Sequence, residues 1–236
     1  MKVLKNAGSF KILTPQGELK RQLLRIERAG RTCYQSYFGR KITEKTAAEF
    51  VSMLIKRGHE SVLEHSLLTV LFINISRGFT HEMVRHRVCA FSQESTRYVD
   101  YVRRGEDIDF EIKCIAPPHQ DENKKVQLPD GREMSIKEMF GKYEEFYRAL
   151  RKAGWPSEDA RQVLPIGLKS EIVVSANFRE WRHIFELRTS LYAHWEIRSV
   201  MSKLLLKLKS IVPAIFQDFV QAGVDKNGVP FFEKKL

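Results

Sequence analysis

The stretch Arg85-His86-Arg87-Val88-Cys89-Ala90-Phe91-Ser92-Gln93-Glu94-Ser95-Thr96-Arg97 gathers many hydrogen-bond donors into a short space. Three adjacent cationic or titratable side chains open it, and Ser92, Gln93, Ser95 and Arg97 follow. Such a cluster suits an anion. Guanidinium groups grip phosphate or an enolate-like oxygen through a fork of N–H donors, and hydroxyls and amides complete the shell. An isolated Arg-His-Arg is more often a solvated basic turn, so the surrounding sequence has to decide between the two readings.

Outward from this stretch, hydrophobic periodicity sets the neighbouring elements. Residues 66–76 carry Leu67, Leu68, Val70, Leu71, Ile73 and Ile75, a β-branched-rich run that reads as a buried strand. Gly78 ends it, and 79–88 forms a helix leading into the motif, with Glu82 and Arg85 three apart on one face. Toward the N-terminus, 2–13 reads as a strand or strand pair and Pro15-Gln16-Gly17 as a turn. Leu19, Leu23 and Ile26 mark a helix over 18–29 with Gly30 as its C-cap. Thr43 caps a second helix over 44–57, stopped by Gly58. His59-Glu60-Ser61 falls in the following loop, where functional side chains are commonly presented.

Toward the C-terminus, 109–116 reads as a strand and the polar 119–133, with Asp130-Gly131, as a surface hairpin or loop. Met139, Tyr143, Phe146 and Leu150 stripe a helix over 135–153, and Pro156 begins a short helix reaching Val163-Leu164. Ile172-Val173-Val174 marks a strand over 169–176. Asn177 and Glu180 form a capping box for a helix over 178–189. The longest helix spans 193–210, and Pro213 opens a last one to Gln221. The elements predict an α+β fold: a single domain over 1–221 with a central, mostly antiparallel sheet flanked by helices, helices outnumbering strands, and a mobile tail over 222–236.

Composition narrows the function classes. The 236 residues are 43% hydrophobic and 29% charged, which is ordinary for a globular protein able to bury a substantial core. No apolar run reaches membrane-spanning length, and the first residues lack a signal peptide's apolar region, so a cytoplasmic protein without membrane association is expected. Cys33, Cys89 and Cys114 are widely spaced with no metal-ligand pattern, which predicts free thiols and no metal site. The net charge of +11 fits nucleic acid or anionic small molecules. Its clusters at 85–104, 203–209 and 234–235 include no basic tail interleaved with aromatics, which favours a cleft for small anions and leaves nucleic acid as the second reading.

Arg85, His86, Arg87 and, after seven intervening residues, Ser95 resemble the signature of the flavin-dependent thymidylate synthases. Further family motifs follow in order: Gly58-His59-Glu60, Arg161 to Pro165, Asn177-x-Arg179, Leu187-Arg188 and Trp195-Glu196-Ile197. The resemblance covers roughly 30–221. It implies methylation of dUMP to dTMP with methylenetetrahydrofolate as carbon donor and FAD, reduced by NADPH, as hydride source. It also implies a homotetramer, no cysteine nucleophile, and no nucleic-acid partner.

By the family pattern, Arg85, Gln93, Glu94, Ser95, Thr96, Arg97 and Arg161 hold the nucleotide, with Glu82 near it. His59, Ser61, Arg85, His86, Arg87, Gln93, Asn177, Phe178, Arg179 and His183 serve the flavin. Arg188 is assigned to the uracil ring, where a guanidinium stabilises the anionic form that makes C5 nucleophilic. Three positions depart from the pattern: Glu82 stands where relatives often have Gln, His183 where some have Asn, and Tyr192 where others carry His. No Gly-x-Gly-x-x-Gly is present, which argues against a Rossmann flavin site.

Overall fold

In the computed structural model, which describes residues 1–5, 8–102 and 112–235, the chain opens with β1 (Lys2–Leu4) and β2 (Ser9–Ile12). Helices α1 (Gln16–Cys33) and α2 (Glu44–Lys56) follow, then a 3-10 turn over Glu60–Glu64. Next come β3 (Leu68–Ser76), α3 (Arg77–Met83), β4 (Ala90–Gln93) and β5 (Lys113–Ile115). A hairpin of β6 (Lys125–Gln127) and β7 (Glu133–Ser135) precedes α4 (Ile136–Lys152), α5 (Ser157–Ala160) and a second 3-10 turn over Arg161–Val163. The chain closes with β8 (Lys169–Ala176), α6 (Phe178–Arg188), α7 (Trp195–Ile211), α8 (Pro213–Phe216), β9 (Phe219–Val224) and β10 (Pro230–Lys234). Strands β2, β3, β8 and β4 form a four-stranded sheet in that order. The fold is α+β with largely antiparallel sheets, and helical residues outnumber strand residues, as the sequence predicts.

Two compact units are distinguishable. One comprises Met1–Ser9, Ile73–Met83 and Ser92–Ile172; the other comprises Phe10–Phe72, Val84–Phe91 and Val173–Leu236. The first unit has a small core of Tyr101, Ile112, Tyr147, Ala160 and Leu168. The second is built on α6 and α7. Trp181, Phe185 and Phe216 pack as an aromatic column, with ring centroids 5.8 Å and 5.5 Å apart, and Trp181 Nε1 donates to the Leu68 carbonyl at 2.9 Å. Burying aromatic rings in such offset and edge contacts adds to the apolar area they remove from water.

Several expectations change in detail. Helix α1 begins at Gln16, inside the expected turn, and continues past Gly30, which is an interior residue rather than a cap. A Cβ on Gly30 would come 2.7 Å from the Phe50 ring, so the absence of a side chain lets α1 approach α2. Gly58, by contrast, ends α2 as expected, with a φ of +74 that favours glycine. Helix α3 stops at Met83, short of the expected 88, and contains Gly78. Tyr147 and Phe140, not Met139 and Phe146, are the fully turned-in residues of α4; two overlapping apolar stripes exist, and Phe146 lies on the exposed one. Of the strand expected over 109–116, residues 109–111 lie outside the described ones, and Lys113–Ile115 is a strand.

The largest correction concerns the C-terminus. The expected helix to Gln221 is only one turn long, and the expected tail after 221 contains an antiparallel hairpin of β9 and β10. Alternation at Val220, Ala222 and Val224, then Asn227-Gly228 with Gly228 at a φ of +76 and the apolar Phe231-Phe232, is the hairpin signal. Phe232 is buried and its N–H donates to the Thr189 carbonyl at 2.9 Å.

Candidate active site

Helix α6 organises the second unit's polar cluster. Asn177 caps it: its Oδ1 accepts from the Glu180 N–H at 2.9 Å, satisfying one of the helix's unpaired donors. Phe178, Trp181 and Phe185 turn into the core. The Phe178 side chain is fully buried against Phe216, and its N–H donates to Ser66 Oγ at 2.8 Å. The outer face then presents Arg179, Glu180, His183 and Glu186, the spacing expected of one helical stripe.

These outer residues line a cleft of about 450 Å³, together with Glu60, Glu64, Val88, Asn177 and Lys234. Its carboxylates are partly neutralised from within the unit. Arg182, 1% exposed, forms forked bonds from Nη2 to Glu60 Oε1 at 2.9 Å and to Asp218 Oδ2 at 2.6 Å. Lys234 Nζ lies 3.1 Å from Glu60 Oε1, and Arg179 pairs with Glu64. Burial alone would raise the Glu60 pKa, but the hydrogen bonds and charges of Arg182 and Lys234 outweigh it and hold the carboxyl below its usual range. Asn177, Arg179 and His183, three residues expected at the flavin, therefore share one cleft. His59, just before the 3-10 turn, and Ser61, within it, are exposed and do not line the cleft.

His86 lies against the same helix. It is 5% exposed, and its Nε2 accepts from Arg188 Nε at 3.0 Å. Its Nδ1 lies 3.7 Å from Glu180 Oε1, and its ring meets that of His183 edge-on, with centroids 5.9 Å apart. Burial, then the positive charges of Arg188 and His183, lower the His86 pKa from 6.5 to about 4, so the ring is neutral at physiological pH. An acceptor Nε2 requires the ring proton on Nδ1, facing Glu180. Arg85 and Arg87 flank it on the surface, and their side chains make no hydrogen bond or ion pair among the described residues.

The first unit holds the other half of the expected donors. Gln93 Nε2 donates to Thr80 Oγ1 at 2.7 Å. Glu94 accepts from the Tyr101 hydroxyl at 2.8 Å and from Lys169 Nζ at 3.1 Å. Thr96 is buried and accepts from Arg161 Nη1 at 3.2 Å. Ser95 opens a turn, its carbonyl accepting from the Val99 N–H at 2.9 Å. Arg97 is half exposed, 3.3 Å from Glu158. Thr96 and Arg161 line a cleft of about 430 Å³ with Arg77, His81 and the Leu164-Pro165-Ile166 segment. Glu82 is half-buried on α3.

Sequence reasoning assigned no role to Lys234, Arg182 or Lys169, and named Glu60 only within the Gly58-His59-Glu60 motif and its loop. Lys234 arrives on β10, within the stretch expected to be a tail. Arg182 sits one helical turn from the core residue Phe178, a spacing that marks an inward position and hence a paired charge. Of the cysteines, burial raises the Cys89 thiol, helped by Glu180, to about 12, and burial raises Cys114 to about 12. Cys33 is exposed near the end of α1. Among the described residues no group of His, Cys, Asp or Glu is arranged to hold a metal, and no helix is long and apolar enough to cross a membrane.

Known proteins similar to this chain agree with one another. The profile of the family described as "Thymidylate synthase complementing protein" matches residues 18–214. The chain is 33% identical to the flavin-dependent thymidylate synthase of Mycobacterium avium over 203 residues, covering 82% of this chain and 78% of that one. It is 36% identical to the flavin-dependent thymidylate synthase of Geobacter sulfurreducens over 194 residues, covering 80% and 78%. In fold it is similar to thymidylate synthase X of Helicobacter pylori, solved with FAD and dUMP, at a TM-score of 0.63 and 22% identity, covering 89% of this chain and 98% of that one. It is also similar to the UMP/dUMP methylase PolB of Streptomyces cacaoi, at a TM-score of 0.69 and 17% identity, covering 92% and 96%. With the family profile spanning residues 18–214 and two of its members 33% and 36% identical over 78% of their own length, this chain belongs to the flavin-dependent thymidylate synthases.

Proposed function

We infer that the protein converts dUMP to dTMP, using methylenetetrahydrofolate as one-carbon donor and FAD, reduced by NADPH, as hydride source. The observation that carries this reading is the family match over residues 18–214, which includes the Arg85 to Ser95 signature. The donor set fits the cofactor: Arg85 and Arg87 offer exposed guanidiniums, and Asn177, Arg179 and His183 share one polar cleft. When bound, the flavin supplies the hydride that side chains cannot.

The chain's own residues supply position and charge. With Cys89 and Cys114 protonated at neutral pH, neither thiol is disposed to attack the pyrimidine. Electron density at C5 then has to come from stabilising negative charge on the uracil oxygens, the task we give to Arg188. Arg97, Arg161, Thr96 and Ser95 we assign to the nucleotide, with Glu82, Glu94, Gln93 and Arg85 beside it. We assign the flavin to Arg85, His86, Arg87, Asn177, Phe178, Arg179 and His183, with Gln93, His59 and Ser61. Because the Phe178 side chain is in the core, any contact from this residue comes through its backbone.

A homotetramer in a reducing, cytoplasmic compartment is the assembly we propose. Exposed Val88, Leu191 and Tyr192 on the second unit, and three unpaired thiols, support it. Denaturing the purified protein should release intact FAD, and labelled methylenetetrahydrofolate should pass its carbon to dUMP. A colourless protein that takes up no added FAD, and whose affinity for nucleic acid falls steeply with salt, would instead support the nucleic-acid reading. Light scattering reporting a flavin-loaded monomer would overturn the assembly.

A further inference from the structure

His86 differs in kind from its two neighbours. Arg85 and Arg87 are exposed, whereas His86 is buried and turns its polar atoms to α6. Glu180 and Arg188 lie eight residues apart, a little over two turns, so they share one broad face of the helix, and His86 contacts both. The three form a chain: the Glu180 carboxylate faces Nδ1–H, and Nε2 receives the Arg188 Nε–H.

We propose that His86 is a positioning residue whose neutral imidazole accepts the Arg188 Nε–H and thereby fixes the plane of the guanidinium. This role rests on Arg188 acting at the uracil ring, as assigned under the proposed function. Arginine stabilises charge well only when its planar fork is oriented, because a guanidinium turned about its Cδ–Nε bond aims its outer N–H groups elsewhere. A hydrogen bond at Nε constrains that rotation. The Glu180 carboxylate helps select the tautomer, since a proton on Nδ1 leaves Nε2 as the acceptor. A protonated His86 would be a donor at both nitrogens and would repel Arg188; burial and the neighbouring Arg188 and His183 charges hold the ring neutral.

Side-chain length provides the test. Gln offers an oxygen near the place of Nε2, Asn near that of Nδ1, and Leu offers no acceptor. His86→Gln, His86→Asn, His86→Leu, Arg188→Ala and the double variant His86→Leu/Arg188→Ala are compared after FAD content and assembly are measured. Single-turnover flavin oxidation is followed at saturating dUMP and folate, and the Kd values for FAD and dUMP are measured separately. Displacing a reacting group by about an ångström costs up to roughly a hundredfold, so His86→Leu and His86→Asn should lose about tenfold to a hundredfold in rate. His86→Gln should recover most of that rate. In the Arg188→Ala background, His86→Leu should have no further effect, because its contribution passes through Arg188.

Multiplying rate losses in the double variant would overturn the proposal, as would a Gln variant no faster than the Leu variant. A loss confined to FAD affinity, with the oxidation rate unchanged at saturating FAD, would overturn it too, and would leave His86 as a flavin contact alone. A normal rate in Arg188→Ala would instead sink the underlying assignment of Arg188. Should His86→Leu fail to assemble, Gln compared with Asn decides: a faster Gln variant supports the positioning role, and equal rates overturn it.

Discussion

Two stretches ten residues apart, Arg85-His86-Arg87 and Ser95-Thr96-Arg97, carry similar donors and are prepared in opposite ways. In the first, the arginines are exposed and without partners among the described residues, while the histidine between them is buried. In the second, the donors are already engaged within the chain: Thr96 with Arg161, and Arg97 with Glu158. Glu94, just before it, is held by Tyr101 and Lys169. One region thus leaves its guanidiniums open to solvent, whereas the other has its polar groups already engaged and would have to trade an existing contact for any ligand.

The largest effect is expected where charge develops. Arg188→Ala should lower turnover on the order of a hundredfold or more, with dUMP binding largely retained, because the loss is of a preorganised donor rather than of a phosphate contact. Arg188→Lys should recover little, since a point charge lacks the fork. Nucleotide titration and single-turnover oxidation on both variants check this, and a normal oxidation rate in Arg188→Ala would return the residue to a structural role.

A smaller effect, on affinity, is expected at the second stretch. Arg97→Ala should weaken dUMP binding about tenfold while leaving the rate at saturation near normal, the cost of one charge-assisted contact. Breaking its competing pair should act the other way. Arg97 and Glu158 are 52% and 51% exposed, and such surface pairs are worth about 0–1 kcal/mol, so Glu158→Gln should tighten dUMP by no more than about fivefold. Calorimetric titration of both variants against dUMP decides; tighter binding in Arg97→Ala would break the contrast between the two stretches.

Stability gives the mildest signature. His86 has a folded pKa of about 4 against an ordinary 6.5, so the unfolded chain binds the proton more readily. Its stabilising contribution is complete above pH 6.5 and is lost as pH falls from 6.5 through about 4. Thermal melts of the native protein should therefore drop across that window, and His86→Gln should flatten the drop. Equal slopes in the two proteins would show that His86 is not held neutral.

What is legible in the sequence and what is not divide along a physical line. Local signals hold: Thr43 and Asn177 cap helices, Gly58 adopts a positive φ, and the Arg85 to Ser95 spacing marks the family. Features that depend on tertiary choice stay hidden. Helix α4 has two apolar stripes, and only packing selects Tyr147 over Phe146. Gly30 looks like a cap until α2 is brought against it. Lys234 lies far in sequence from Glu60, and no local pattern announces that a C-terminal hairpin delivers it to the cleft. Nor could the motif alone show that His86 is buried and holds Arg188, because three adjacent polar residues have equal claims to solvent.

Methylation driven by positioned charge, with no protein thiol taking part, has a consequence that one protein can check. Cys33→Ser, Cys89→Ser and Cys114→Ala are combined in a single FAD-loaded variant. After anaerobic reduction, this variant is mixed with dUMP and methylenetetrahydrofolate, and flavin oxidation and dTMP are followed in the same rapid-quench series. We expect dTMP to appear in step with flavin oxidation, at the rate of the native protein. Flavin oxidation without dTMP, in a variant that still binds FAD and dUMP normally, would contradict a thiol-free mechanism.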